Sequence, residues 1–307
     1  MSSTDATFPN RPSKHSGTPL IRPEIIVRGL LNDPDVIIPE CVIMGYSTRL
    51  HDLLAARGFK NVAGYSAPWR SMWLVEGPDA ARVGVVEGFG FGAPGAAIVM
   101  EELATLGVHR FVNLGLAGAL PNEVGFGDVV LCTGAVRDEG VSHHYVPAAR
   151  YAYPATGLTD GLRQVLLREG ASFTEGPTWT IDAVYRETIE EALAYRDEGV
   201  VTVEMEAAAL FTIASVRGVE SAALFTISDH LLAESEWRPA HDKRVLSEGL
   251  ARILDVALTA LFPEVTTTRS PSRTMTPTWR VRSRSFLRSL VGPLATLFQA
   301  RENDGDG

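Results

Sequence analysis

A chain of 307 residues with 45% hydrophobic content has enough apolar mass for one large core, and its net charge of −9 excludes a nucleic-acid binder, which needs a basic face to neutralise phosphates. Cys41 and Cys132 stand far apart in apolar runs with no metal-ligand spacing, which predicts buried free thiols in a reducing, cytoplasmic setting. The first twenty residues hold no apolar signal core, and no run approaches the length of a membrane span.

In chain order, residues 1–17 are polar and read as a flexible N-terminus. Strand-type apolar runs follow at Val36 to Met44, Ser71 to Val75, Arg82 to Val86, Phe111 to Leu114, Val129 to Cys132, Thr178 to Ile181, Val200 to Val203 and Ala222 to Ile227. Helical patterns separate several of them, at Pro94 to Leu106, Thr159 to Glu169, Thr188 to Asp197, Glu206 to Arg217 and Ala240 to Phe262. This alternation predicts one α/β domain over residues 18–262 with a mostly parallel or mixed central sheet. Composition changes at Pro263. Residues 263–307 carry seven arginines and no lysine, opening with a Thr/Ser/Pro/Arg-rich linker and continuing from Arg280 into a short amphipathic helix pattern. Such a segment docks on an acidic partner or a membrane surface, or packs weakly on its own acidic core; the last is the favoured reading.

The chemistry is concentrated at two strand ends. Val203-Glu204-Met205-Glu206 runs straight into an Ala-rich helix, and the strand Ala222 to Ile227 ends on Ser228-Asp229-His230. Unpaired acids in apolar settings cost several kcal/mol, roughly, so each needs a hydrogen-bond partner, a raised pKa or a ligand. Strand ends at a crevice are where open α/β sheets keep ligands, and a nucleoside, with vicinal hydroxyls and a basic ring nitrogen, suits this set. The competing use of Glu204 or Glu206 is to cap the helix that starts there.

Several ordered motifs carry a resemblance. Asn113-Leu114-Gly115-Leu116-Ala117-Gly118-Ala119-Leu120, Gly127-Asp128-Val129-Val130, Ala135-Val136-Arg137-Asp138-Glu139-Gly140, Ser142-His143-His144-Tyr145 and Trp179 to Thr188, with the two acidic motifs, resemble the nucleoside phosphorylase family that includes uridine phosphorylase and hexameric purine nucleoside phosphorylase. The resemblance spans Thr18 to Phe262. It implies a single three-layer α/β domain with a mixed, partly barrel-like sheet flanked by helices, assembled into dimers or hexamers whose sites borrow residues from a neighbour. It implies cleavage of an N-glycosidic bond, in most members by phosphate as co-substrate and in some by water, with no metal or organic cofactor.

Carried over residue by residue, the resemblance makes Glu206 the acceptor for the ribose 2′ and 3′ hydroxyls, with Met205 under the sugar and Glu204 at the base end. Asp229 resembles the general acid of the purine-type members, which favours a purine; that role needs a carboxyl kept protonated by an apolar strand end. Arg238 is a candidate to hold that aspartate or the base, and Tyr185 and Trp179 lie where the family encloses the base. Gly115 opens the Gly-x-x-Gly turn at the substrate. Gly45 and Arg49 keep the family's phosphate spacing, and Arg70 matches the arginine lent across a dimer interface, a job that suits a forked guanidinium. Each of these has a plainer reading: Met205, Tyr185 and Trp179 as core, the arginines as surface charges.

Three positions depart from the family. Asn113 stands where a phosphate-binding arginine is usual and Leu116 where a hydroxyl is; losing both ligands weakens an anion site by several kcal/mol, from about 1.5–3 for a charge-assisted bond and about 1 for a neutral one. Water-using nucleosidases also lack that arginine, so hydrolysis is the alternative reaction, and a non-catalytic nucleoside-binding protein the alternative class. Leu20 replaces a histidine that reaches a neighbour's ribose 5′-hydroxyl, which predicts an apolar 5′ group. His143 and His144 have no third ligand at metal spacing.

Overall fold

The structure, a computed structural model, describes residues 10–11, 13–29, 36–62, 71–233 and 236–262. Contacts divide the chain into two units, Met1–Val265 and Thr266–Gly307, and all described residues belong to the first. The expected tail at 263–307, its amphipathic segment and Arg70 lie outside the described residues.

Helix α1 (Pro23–Ile26) and a 3-10 turn (Val27–Gly29) precede β1 (Cys41–Gly45), α2 (Thr48–Ala56), β2 (Lys60–Asn61), β3 (Ser71–Glu76), β4 (Arg82–Glu87) and α3 (Ala93–Thr105). Next come β5 (Arg110–Ala119), β6 (Val129–Asp138), α4 (Ser142–Tyr145), β7 (Tyr151–Ala152), α5 (Thr156–Arg168) and β8 (Phe173–Ile181). A 3-10 turn (Val184–Arg186), α6 (Ile189–Asp197), β9 (Thr202–Glu204), α7 (Ala207–Arg217), β10 (Glu220–Ala233), β11 (Glu236–Pro239) and α8 (Lys243–Leu261) complete the unit. Each expected strand and helix has its counterpart, but β5, β6, β8 and β10 run well beyond their apolar stretches, and α2 was not expected.

The extra length closes the sheet. Strands pair in the order β11-β10-β6-β8-β9-β5-β1-β4-β3-β2, with β7 on β6, and β10 also pairs with β5. Strands β5, β10, β6, β8 and β9 therefore form a closed five-stranded ring. Within it β5 and β10 are parallel, β6, β8 and β9 are parallel, and the two groups meet antiparallel at β10–β6 and β5–β9. This is the mixed, partly barrel-like sheet that the resemblance implied.

Helices cover the sheet for reasons visible in their sequences. In α8, Leu246, Leu250, Ile253, Leu254, Ala257 and Leu261 recur at helical spacing and are buried against the β5 and β10 face, while Asp242 caps the helix by accepting from the Arg244 amide at 2.9 Å. Helix α7 is buried on every side from Ala207 to Ala214, which is why it reads as alanine and large apolar residues without a polar stripe; it stops at Gly218, whose φ of 68° is the left-handed cap conformation. Both cysteines are free, with Cys132 buried. Among the described residues no helix is long and apolar enough to cross a membrane.

Candidate active site

Strand β9 lies beside β8 with Glu204 opposite Thr180, so the threonine hydroxyl donates directly to Glu204 Oε1. Glu204 Oε2 accepts from the amides of Glu206 and Ala207, both at 2.8 Å. Those amides are the open donors of the first turn of α7, so Glu204 acts as the cap of that helix. The capping use that the sequence left open thus belongs to Glu204 and not to Glu206.

Glu206 points elsewhere. It is 1% exposed, its Oε1 accepts from the Gly92 amide, and its Oε2 has no hydrogen-bond partner. The charge of Glu206 acts on the neighbouring Tyr46 hydroxyl, which is likewise without a partner at hydrogen-bonding geometry. Burial, and then the charge of Glu204, hold the Glu206 carboxyl well above the usual carboxylate range. Burial and the two glutamates raise the Tyr46 phenol far above its ordinary value, so it remains a neutral donor.

Two cavities meet at this turn. The larger, about 560 Å³, is lined by Glu204, Met205, Tyr185, Glu187, Ser228, Asp229 and Trp237 together with apolar residues of β5, α6 and β10. The smaller, about 230 Å³, is lined by Tyr46, Ser47, Thr48, Phe91, Leu116, Glu204, Met205 and Glu206. Leu116, Glu204 and Met205 border both. The smaller one opens at the N-terminus of α2, where Ser47 accepts from the Arg49 amide at 3.3 Å, an arrangement whose free amides and dipole favour an anion.

Asp229 reaches the larger cavity through an irregularity in the β10–β5 pairing between Ile227 and Asp229, a bulge that re-aims the side chain. Ser228 Oγ donates to Asp229 Oδ1 at 2.6 Å and the Trp237 indole donates to Oδ2 at 2.9 Å. Gly118 is small for the same purpose, since a Cβ there would stand 3.0 Å from Asp229 Oδ2 and 2.5 Å from Leu231.

The structure brings Glu204, Met205, Glu206, Tyr185 and Asp229 to the rims of these two joined cavities. Tyr185 is 97% exposed at the mouth, whereas Trp179 is fully buried core whose indole donates to Asp138 at 2.9 Å. Gly115 lies under Tyr46: a Cβ would fall 2.0 Å from the hydroxyl, so the glycine makes room for a side chain rather than for a ligand. Gly45 ends β1 under Leu50 with the same lack of space, and Arg49 sits on the first turn of α2; neither lines either of these two cavities. Arg238 stands opposite His230 in the β10–β11 pairing, one residue out of step with Asp229, and also lines neither. Trp237 takes the place at Asp229 that the sequence suggested for Arg238. Sequence reasoning missed Tyr46, Phe91, Glu187 and Trp237. Tyr46 was visible inside Gly45-Tyr46-Ser47-Thr48-Arg49, and Phe91 inside the Gly-rich stretch before α3; Glu187 and Trp237 carried no periodic or motif signal.

Comparison with known proteins identifies the family of the fold. The chain is 35% identical over 150 residues to the guanosine phosphorylase of Halorubrum lacusprofundi, a match covering 48% of this chain and 61% of that relative, less than two thirds of its length. It is 27% identical over 215 residues to a DeoD-type purine nucleoside phosphorylase of Bacillus cereus, covering 69% and 86%. Its fold matches the crystal structure of uridine phosphorylase from Vibrio fischeri with a TM-score of 0.63 at 21% identity, over 73% of this chain and 92% of that one. The family described as the phosphorylase superfamily matches residues 39–261, most of the sequence, and the chain belongs to it.

Proposed function

We propose that this protein is a nucleoside phosphorylase that cleaves a purine nucleoside with phosphate to give the free base and ribose 1-phosphate. One observation carries the reading: a carboxylate oxygen, Glu206 Oε2, is buried without a partner where a 560 Å³ and a 230 Å³ cavity adjoin. A buried acceptor of this kind calls for a donor, and a vicinal diol supplies two. The relatives named guanosine and purine nucleoside phosphorylases support a purine, as does Asp229 on the wall of the larger cavity.

In this reading the ribose lies across Met205, its hydroxyls held by Glu206, and the base fills the larger cavity beside Tyr185 and Asp229. Phosphate sits in the smaller cavity at the start of α2, with Arg49 from that first turn and Arg70 from a neighbouring copy. As C1′ develops positive charge, the phosphate anion stabilises it more than it stabilises the ground state, while Glu206 holds the ribose hydroxyls in place. Phosphate is the co-substrate, and no metal or organic cofactor takes part. The working unit is a cytoplasmic homo-oligomer with shared sites.

The test is base release from a panel of purine and pyrimidine nucleosides in dialysed buffer, with and without phosphate. Phosphate-dependent release of purines with ribose 1-phosphate as product is expected. Phosphate-independent release giving free ribose identifies a nucleosidase, and no release from any nucleoside overturns the enzyme reading.

A further inference from the structure

Two polar groups of opposite kind are left unused beside each other in the smaller cavity. Tyr46 and Glu206 both line it, at 9% and 1% exposure, and the Tyr46 hydroxyl and Glu206 Oε2 each lack a hydrogen-bond partner. Glu206 Oε2 is an acceptor. The phenol is a donor, and Glu206 is the acid whose charge acts on it most strongly. A buried group left unpaired under a bound molecule costs roughly 5- to 150-fold in affinity.

Neither group is free to turn away. Glu206 is tied through Oε1 to the Gly92 amide. The Tyr46 ring stands edge-on between Phe89 and Phe91, at 6.4 and 5.9 Å between centroids. Its oxygen rests over Gly115, where a Cβ would come within 2.0 Å. The two groups do not close on each other at hydrogen-bonding geometry, so donor and acceptor stay open side by side. One alcohol answers both, because a hydroxyl donates one hydrogen bond and accepts another.

We propose that Tyr46 is a specificity-determining residue: it donates to the ribose 2′-hydroxyl oxygen while that hydroxyl donates to Glu206, and the site thereby selects ribonucleosides over 2′-deoxyribonucleosides. This rests on the nucleoside-cleavage reading above and deepens it by naming the sugar. Tyr46 lines the smaller cavity and not the larger one. With phosphate in that cavity attacking C1′, the sugar hydroxyl on the neighbouring carbon is the 2′. A 2′-deoxy substrate leaves the phenol without an acceptor and Glu206 with one hydroxyl instead of two. Sites built to bond a substrate hydroxyl reject the analogue that lacks it.

The test measures kcat/KM of the parent and of Tyr46→Phe on guanosine and adenosine, each with its 2′-deoxy and 3′-deoxy forms. The parent is expected to prefer the ribonucleoside to its 2′-deoxy form by about 100-fold. In Tyr46→Phe the ribonucleoside should fall by about 3–10-fold, the net worth of one hydrogen bond. The 2′-deoxy form should hold or rise, since no orphan donor remains beneath it. The 3′-deoxy form keeps the 2′-hydroxyl and should fall as the ribonucleoside does. This pairing of a variant with a truncated substrate isolates the contact, because a tyrosine needed only for packing lowers all three forms alike.

Equal losses on every form, or a coupling that follows the 3′-hydroxyl, overturn the assignment while leaving nucleoside cleavage intact. So does a parent that turns over the 2′-deoxy form within about threefold of the ribonucleoside, a result that needs no variant. A parent that cleaves no nucleoside, with phosphate or water, overturns the cleavage reading and this inference with it.

Discussion

Replacing Gly115 by alanine tests how the sugar side of the site is built. The added Cβ would stand 2.0 Å from the Tyr46 hydroxyl oxygen, 3.0 Å from its ring carbon and 3.3 Å from Phe225. Ordinary contact begins at 3.4 Å, so the hydroxyl must retreat by 3.4 − 2.0 = 1.4 Å. Tyr46 has little room to do so: it is 9% exposed and held edge-on by Phe89 at 6.4 Å and Phe91 at 5.9 Å between ring centroids. Overpacking of this size costs about 1–3 kcal/mol, which for a domain of this length lowers Tm by roughly 3–10 °C. Displacing the hydroxyl from Glu206 should also raise KM for the nucleoside more than it lowers kcat. Scanning calorimetry and steady-state kinetics on Gly115→Ala, Tyr46→Phe and the double variant decide the matter. Tyr46→Phe removes the clashing atom, so the double variant should recover at least half of the lost Tm. A Gly115→Ala protein as stable and as active as the parent, or a double variant whose losses simply add, would refute the packing argument.

Other outcomes follow from the same geometry. Glu206→Gln should weaken turnover by roughly 10–100-fold with little change in Tm, whereas Glu204→Ala should lower Tm by several degrees, because it strips the cap from α7 and leaves buried donors unpaired at about 1–3 kcal/mol in total; calorimetry beside kinetics separates the two. Trp237 is 65% exposed yet donates to Asp229, so Trp237→Phe is expected to lower kcat/KM by about 3–10-fold, the net worth of one ordinary hydrogen bond of about 0.5–1.5 kcal/mol, while Tm moves by less than about 2 °C. Leu20 is 98% exposed in the single chain; if it meets the 5′ group of a neighbour's substrate, 5′-deoxy nucleosides turn over better than their 5′-hydroxy parents, and a preference for the hydroxyl forms in competition kinetics removes that idea.

Much of the architecture was readable because apolar periodicity is local. The α3, α5, α7 and α8 patterns and the apolar centres of β4, β5 and β10 were all present in the sequence. What could not be read was closure: β5 and β8 continue through Gly115, Gly118 and Gly176, where glycine ordinarily weakens a strand signal. Those glycines are present because Tyr46, Leu231 and Val201 press against them, a long-range fact. In the site, the acid-bearing motif was legible as a group, but the division of labour within it was not. Glu204 and Glu206 sit two residues apart, and which one caps α7 depends on Thr180, which pairing brings from another strand. Arg238 was named ahead of Trp237 because charge suggests an aspartate partner, while the β10–β11 register puts Pro239 opposite Asp229 and turns Trp237 to meet it.

The closed ring of β5, β10, β6, β8 and β9 has a mechanical consequence. A hoop of hydrogen-bonded strands has no hinge, so the walls it supplies cannot swing apart to admit or release a molecule. Traffic must instead be governed by short segments at its rim, the Gly88–Gly92 stretch with three glycines at positive φ and the 183–188 turn. Stiffening either segment is therefore expected to slow exchange without touching the reacting groups, which a comparison of single-turnover with steady-state rates would read.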